Sequence, residues 1–266
     1  MKNIQYHFPN RVINQMNIPF TVKLATFDPD EIVMEQLDWV TEKIKKRLHQ
    51  IDMDFSPFRT DSLVSRFQSG DRDPILESKD FQSVYAQSVL AEQMTDSLFT
   101  PYFSGHYDPT GLVKGWAIEQ SFNDYLKPLL QDPKIYGVSL NGGGDMKLAT
   151  RSDNDFCWGI GIENPENLQE IVAVYYLKNG SVATSGNNKR GEHIVRLDDN
   201  DVKQATIISD SLVNADIWAT TGIAAGHAKF LEMIAQNDLS GLLVNKDYTL
   251  TGFSKGVLAN AQKTPL

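Results

Sequence analysis

The chain contains very little cysteine, since Cys157 is the single cysteine among 266 residues. One thiol excludes an internal disulfide. Cys157 stands between Phe156 and Trp158, and this apolar setting predicts a small core residue rather than a nucleophile.

Long apolar runs are also missing. No stretch of about 18 apolar residues occurs, and the first eight residues contain no apolar segment of the signal-peptide kind. We therefore expect a cytoplasmic protein with no membrane partner.

Positive charge is scarce, with 25 Lys and Arg against 34 Asp and Glu and a net charge of −9. A surface of this sign does not attract a phosphate backbone, so a nucleic-acid partner is not expected. A local basic pocket for one nucleotide stays open.

Apolar spacing predicts helices in the first half of the chain. Residues 18–26 alternate like a strand, and Asp28 can cap a helix that begins in Asp-Pro-Asp-Glu. Further helices are predicted over about residues 80–98 and 114–131. The residues expected on the buried face of the first helix are Ile32, Val33, Leu37, Val40, Ile44 and Leu48.

From about residue 135 the pattern changes to short β segments separated by glycine and asparagine. A helix over about 215–236 and a closing hairpin, 242–245 with 248–253, follow. This order indicates an α+β fold in which a mainly antiparallel sheet packs against helices. We expect residues 1–266 to form one domain.

Two glycine-rich segments are candidates for ligand binding. In 108–119 a carboxylate, a glycine and Lys114 stand at the mouth of a predicted helix, where N–H groups and the helix dipole attract phosphate. The alternative there is a cap with a solvated lysine. In 141–145 three glycines either let the backbone approach a ligand or form a plain hairpin turn.

Two further polar segments follow. Residues 183–190, with His193 and Ile194 after them, form either a binding loop or an exposed loop. Asp216 and Thr220 are four residues apart, so they share a helix face and could hold Mg²⁺. Alternatively, Asp216 is a helix cap and Thr220 has no special role.

Taken in order, these segments resemble the ApbE family, the FAD:protein FMN transferases. The similarity covers about residues 16–253. Residues 108–119 resemble the family's Asp-Leu-Gly-Gly-Ile-Ala-Lys-Gly-Tyr-Ala-Val-Asp block. The other matching segments are 55–67 (Phe-Ser-Arg-Phe and Ser-Arg-Leu-Asn), 95–99 (Thr-Asp-Gly-Ala-Phe), 141–145 (Gly-Gly-Asp), 183–186 (Ala-Thr-Ser-Gly), 193–194 (His-Ile) and 216–220 (Asp-Ala-Leu-Ala-Thr).

The resemblance implies a magnesium-dependent transferase that moves FMN from FAD onto a Thr or Ser hydroxyl of an acceptor flavoprotein and releases AMP. FAD is then a substrate, and a homodimer is left open. The implied magnesium ligands are Asp216, Thr220 and the Gly111 carbonyl. His193 is implied to handle the proton, with Asp216 as the second catalytic residue. The residues implied to contact FAD are Met16, Phe58, Asp96, Ser97, Leu98, Asp108, Lys114 and Ile194.

The chain departs from the family pattern at several positions. The stretch between residues 95–99 and Asp108 is shorter, Pro109 and Thr110 replace Leu and Gly, and Phe58 lacks the hydroxyl of a tyrosine. An FAD pyrophosphatase that yields FMN and AMP would use the same site. Both that activity and a non-catalytic FAD-binding role stay open.

Overall fold

A computed structural model describes residues 5–186 and 201–259, so His193 and Ile194 lie outside the described residues. Within these described residues a nine-stranded sheet forms the centre of the fold, and its neighbouring strands are antiparallel. In spatial order its strands are β1 (Asn10–Gln15), β2 (Ile18–Thr26), β3 (Ile135–Gly142), β4 (Asp145–Thr150), β7 (Gly180–Gly186), β8 (Val202–Ser209), β9 (Ser240–Asn245), β10 (Leu250–Ser254) and β11 (Val257–Ala259).

Helices pack on one face of this sheet, and a two-stranded sheet covers the other. The small sheet pairs β5 (Trp158–Glu163) with β6 (Ile171–Leu177). The helices are α1 (Glu31–Phe55), α2 (Leu63–Gln68), α3 (Asp73–Glu77), α4 (Lys79–Met94), α5 (Thr110–Ser121) and α6 (Leu212–Gln236). After α5 the chain continues as a π-helical turn, Phe122–Leu126, and a 3₁₀ turn, Lys127–Gln131.

Two apolar cores result from this layering. The larger lies between the helices and the big sheet and buries Phe20, Phe81 and Trp116. The smaller lies under β5 and β6, where Trp158 and Leu148 meet. Each core fills one face of the sheet because successive residues of a strand point to opposite faces. Within residues 5–186 and 201–259, no helix combines the length and apolar character needed to cross a bilayer.

The expected α+β fold with a mainly antiparallel sheet is confirmed. The helix predicted over 80–98 ends at Met94, and residues 95–99 form a turn in which Asp96 and Ser97 have φ of 52° and 62°. The helix predicted over 114–131 begins four residues earlier, at Thr110, and changes its hydrogen-bonding pattern at Phe122.

Three local expectations were wrong. Asp30, not Asp28, caps α1: its Oδ1 accepts from the Val33 N–H at 3.0 Å, while Lys134 holds its other oxygen. Ile32 is 55% exposed and lies off the buried face. Cys157 is half-buried rather than part of the core, because it alternates with the buried side chains before and after it.

Gly241 allows β9 to pack closely against β8. Its φ is +157°, and a β-carbon there would overlap the Thr206 carbonyl oxygen. Gly70 also has a positive φ, +98°, but a β-carbon placed there would have no other atom within 4 Å.

We expect Gly70→Ala to lower the free energy of unfolding by about 1–2 kcal/mol. Gly241→Ala should cost at least about 3 kcal/mol more than Gly70→Ala, the upper end for overpacking, because the overlapped atom belongs to the backbone. Urea unfolding followed by circular dichroism measures both, and equal losses would contradict the close contact.

Candidate functional site

The candidate site begins with the packing of α5 against α6. A β-carbon at Gly115 would lie 3.3 Å from Asp216 Oδ2 and 3.4 Å from the Leu212 carbonyl oxygen, so the two helices touch there. Gly111 lies one turn before Gly115 on α5, and Thr220 lies one turn after Asp216 on α6. Both residues line the same pocket. The two helices therefore run antiparallel, with matched residues at spacings of four.

A buried charge cluster lies beside this contact. The Lys114 ammonium pairs with Asp145 and lies 3.9 Å from Asp216 Oδ2. The Lys114 side chain is only 19% exposed, and both carboxylate side chains are 1% exposed. The solvated-lysine alternative is therefore wrong, because buried charges persist only when they are paired or coordinated.

The sheet supplies the other side of the cluster. Asp145, at the start of β4, accepts a hydrogen bond from the Thr184 N–H at 3.1 Å. On the same strand as Thr184, Ser185 Oγ lies 3.2 Å from Thr220 Oγ1. Sequence reasoning noted the glycine turn before Asp145 but did not list Asp145 as a site residue. The useful signal was an acid directly after a glycine turn and before an apolar strand.

Asp216 does not cap its helix. Ser211 does, since its hydroxyl accepts from the Asn214 N–H at 3.3 Å. Asp216 instead lies in the second turn of α6. Only the first four N–H groups of a helix lack a partner within it, and Asp216 follows them in the chain. The cap alternative is therefore wrong.

A pocket of about 410 Å³ opens beside this cluster. Its walls combine apolar and polar side chains, and Phe58 stands at the rim with 91% of its surface exposed. The apolar lining residues are Met16, Ile18, Pro57, Phe58, Leu98, Phe99 and Phe103. The other lining residues are Gly111 and the polar Thr100, Asp108, Thr110, Lys114 and Thr220.

The structure brings most of the predicted site residues together. Met16, Phe58, Leu98, Asp108, Gly111, Lys114 and Thr220 line the pocket. Asp216 adjoins it through its contact with Lys114. Asp96 and Ser97 are exposed in the turn before Leu98 and are not in the described lining, so their contact with FAD stays a prediction. The predictions for His193 and Ile194 concern residues outside the described ranges.

Local hydrogen bonds hold the pocket walls. Asp108 Oδ1 accepts from the Thr110 N–H at 3.0 Å at the start of α5. Thr95 Oγ1 accepts from the Phe99 N–H at 3.0 Å and so closes the turn that presents Leu98. Behind this wall, burial raises the pKa of the Tyr107 phenol above its ordinary value.

The donors present fit a magnesium ion. Asp216 and Thr220 supply a carboxylate and a hydroxyl on one face of α6, and the Gly111 backbone lines the same pocket. These are hard oxygen donors, and Mg²⁺ needs only one or two carboxylates when phosphates and waters complete its octahedron. No cluster of three His, Cys, Asp or Glu side chains occurs in the part of the chain that the structure describes. The donors therefore match a magnesium site with few protein ligands, in which phosphate oxygens and waters supply the remaining ligands.

Comparison with known proteins identifies the family to which a chain with this arrangement belongs. The profile of the ApbE family matches residues 106–243, which include α5, β4, β7 and the whole of α6. The chain belongs to the ApbE family.

A curated relative agrees with this assignment. The FAD:protein FMN transferase of Klebsiella pneumoniae (strain 342) is 26% identical over 178 residues, which are 60% of this chain and 52% of that protein. The chain thus spans about half the length of this curated relative.

Two solved structures share the fold. The flavin transferase ApbE from Vibrio cholerae superposes with a TM-score of 0.69 at 16% identity, over 94% of this chain and 98% of the other. The apo flavinyl transferase ApbE from Pseudomonas stutzeri superposes with a TM-score of 0.73 at 17% identity, over 96% of each chain. At these identities the likeness establishes the fold alone.

Gly115 provides a test of the helix contact. We expect Gly115→Ala to change the free energy of unfolding by less than about 1 kcal/mol, because the better helix propensity of alanine offsets the crowding. The added methyl group should displace the Asp216 carboxylate and weaken divalent-cation binding, measured by calorimetry with Mn²⁺. Unchanged Mn²⁺ affinity would show that Asp216 tolerates the shift or is not a ligand.

Proposed function

We propose that this chain is a magnesium-dependent FAD:protein FMN transferase, which moves FMN from FAD onto a Thr or Ser hydroxyl of an acceptor flavoprotein and releases AMP. One observation carries the proposal: a single pocket combines an apolar wall with Lys114 and Thr220, and Lys114 in turn contacts Asp216. A dinucleotide such as FAD has the same division, with flat rings at its ends and a pyrophosphate between them. Membership of the ApbE family supports the assignment.

The lining residues suit the parts of FAD. Phe58 at the rim and Phe99 in the wall offer apolar faces against which an aromatic ring can stack. Lys114 and the first turn of α5 offer a cation and a helix N-terminus to the phosphates. Lys114 is held near the pocket by Asp145 and Asp216, so its ammonium is oriented before the substrate binds.

The reaction is a phosphoryl-type substitution. The acceptor oxygen forms a bond to the riboflavin-side phosphorus, the pyrophosphate P–O bond breaks, and AMP leaves with the bridging oxygen. Magnesium, when held by Asp216, Thr220 and the Gly111 carbonyl, would stabilise the negative charge that develops on the phosphate oxygens. Lys114 adds positive charge on the same side. We propose His193 as the base that takes the proton of the acceptor hydroxyl.

The direct test is FMN transfer itself. Purified chain, FAD and Mg²⁺ are incubated with flavoproteins from the same cell, and mass spectrometry follows an FMN-sized increment on Thr or Ser. Asp216→Asn removes the anionic ligand and should lower the rate on the order of 100-fold. Asp155→Asn, a matched change at an exposed carboxylate outside the pocket, should leave it unchanged.

Two results would contradict this proposal. AMP release without any modified acceptor would indicate the FAD pyrophosphatase activity instead. Equal rates for the wild type and Asp216→Asn at limiting Mg²⁺ would remove Asp216 from the metal site.

Lys114 should distinguish FAD from riboflavin, which has no phosphate. A hydrogen bond to a charged group is worth about 1.5–3 kcal/mol, so Lys114→Met should weaken FAD binding at least about tenfold and leave riboflavin binding almost unchanged. Isothermal calorimetry with both ligands measures the difference. If both affinities fall equally, Lys114 supports the pocket wall and does not contact phosphate.

A further inference from the structure

Glu119, at the C-terminal end of α5, binds the beginning of α6. Its Oε2 accepts hydrogen bonds from Ser211 Oγ at 2.9 Å, from the Leu212 N–H at 2.9 Å and from the Val213 N–H at 3.2 Å. Its Oε1 accepts from Lys147 Nζ at 2.8 Å. One carboxylate therefore joins the end of α5, the first turn of α6 and strand β4.

This connection is a strong one. The Glu119 and Lys147 side chains are 13% and 11% exposed, so water screens their ion pair only weakly. The N–H groups of a helix N-terminus carry partial positive charge, which a carboxylate at this point satisfies. Lys147 also donates to the Asp210 carbonyl, just before α6, and so connects strand β4 to the beginning of α6 a second time.

The first turn of α6 sets the positions of the proposed metal ligands. Leu212, Asp216 and Thr220 follow one another at intervals of four, so they form one stripe along the helix. At a rise of about 1.5 Å per residue, Asp216 lies about 6 Å and Thr220 about 12 Å along the axis from Leu212. A small rotation or slide of this turn would move both side chains relative to Gly111 on α5.

We propose that Glu119 is a positioning residue for magnesium: it sets α6 so that Asp216, which lies against Gly115, and Thr220, which lines the same pocket as Gly111, can hold the ion together with the Gly111 carbonyl. The inference rests on the proposed function, because it concerns the metal site of that reaction. Glu119 is not in the described lining of the pocket, so it acts through α6 and not by contact with substrate.

Cation binding without substrate tests this role. In Glu119→Gln the amide NH₂ group faces cationic or N–H donors and the negative charge is lost. Groups that hydrogen-bond a metal ligand directly typically change metal affinity 10–100-fold. Glu119 acts one step further out, through the backbone of α6, so we expect Mn²⁺ affinity to fall by about tenfold, the lower end of that range. Asp80→Asn is the matched control: it breaks the Arg47–Asp80 ion pair, whose atoms are 2.6 Å apart, between α1 and α4. Its Mn²⁺ affinity should equal that of the wild type.

The measurements are Mn²⁺ electron paramagnetic resonance and calorimetry on the folded proteins, with circular dichroism to compare their folds. Ser211→Gly removes one donor to Glu119 and is milder, because glycine at a helix N-cap costs only a few tenths of a kcal/mol relative to serine. If Glu119→Gln does not fold, a smaller but measurable loss of Mn²⁺ affinity in Ser211→Gly supports the inference, and no loss overturns it.

The outcomes separate the two proposals. Wild-type affinity in a folded Glu119→Gln protein, together with lost affinity in Asp216→Asn, overturns the positioning role and leaves the proposed function standing. An equal loss in Asp80→Asn also overturns it, since the effect would then follow from general destabilisation. A wild-type protein that binds no Mn²⁺ overturns the metal-dependent function and this inference with it.

Discussion

The close contact of α5 with α6 is the constraint on which the site depends. Gly115 lets the two helices touch at Asp216, and no larger side chain fits there without displacing that carboxylate. Because the helices run antiparallel, each turn of α5 meets one turn of α6. Gly111 is thereby brought to the pocket that Thr220 lines, and Glu119 reaches the N-terminus of α6. A single packing geometry thus places the backbone donor, the carboxylate and the hydroxyl of the proposed metal site.

The large sheet completes what the helix pair begins. Lys114 lies among carboxylates from two elements: Asp216 on α6 and Asp145 on β4. Asp145 in turn accepts the Thr184 N–H, so the pairing of β4 with β7 determines where the cluster stands. Burying this many charges is costly unless they are paired or bind a ligand, which is why such clusters are more typical of functional sites than of cores.

The pocket wall has a different origin from the charged cluster. Phe99 and Leu98 come from the turn after α4, Met16 from the β1–β2 turn, and Phe58 from the loop after α1. These loops hold apolar side chains beside a polar site, and Phe58 remains mostly exposed at the rim. The combination fits a ligand that carries both aromatic rings and phosphates, as the proposed substrate FAD does.

The sequence by itself determined the α+β class, most helices and strands, and the Asp216–Thr220 stripe, because these depend on spacing along one element. It could not choose Asp30 over Asp28 as the cap of α1, since Lys134, a distant residue, helps hold Asp30. It also did not single out Asp145 or Glu119, which are the last residues of the matching segments 141–145 and 108–119. Their roles come from partners that are far away in the chain: Lys114 and Thr184 for Asp145, and Lys147 and Leu212 for Glu119. Only the tertiary structure decides such pairs, because sheet register and helix packing, not local sequence, bring the charged groups within hydrogen-bond distance.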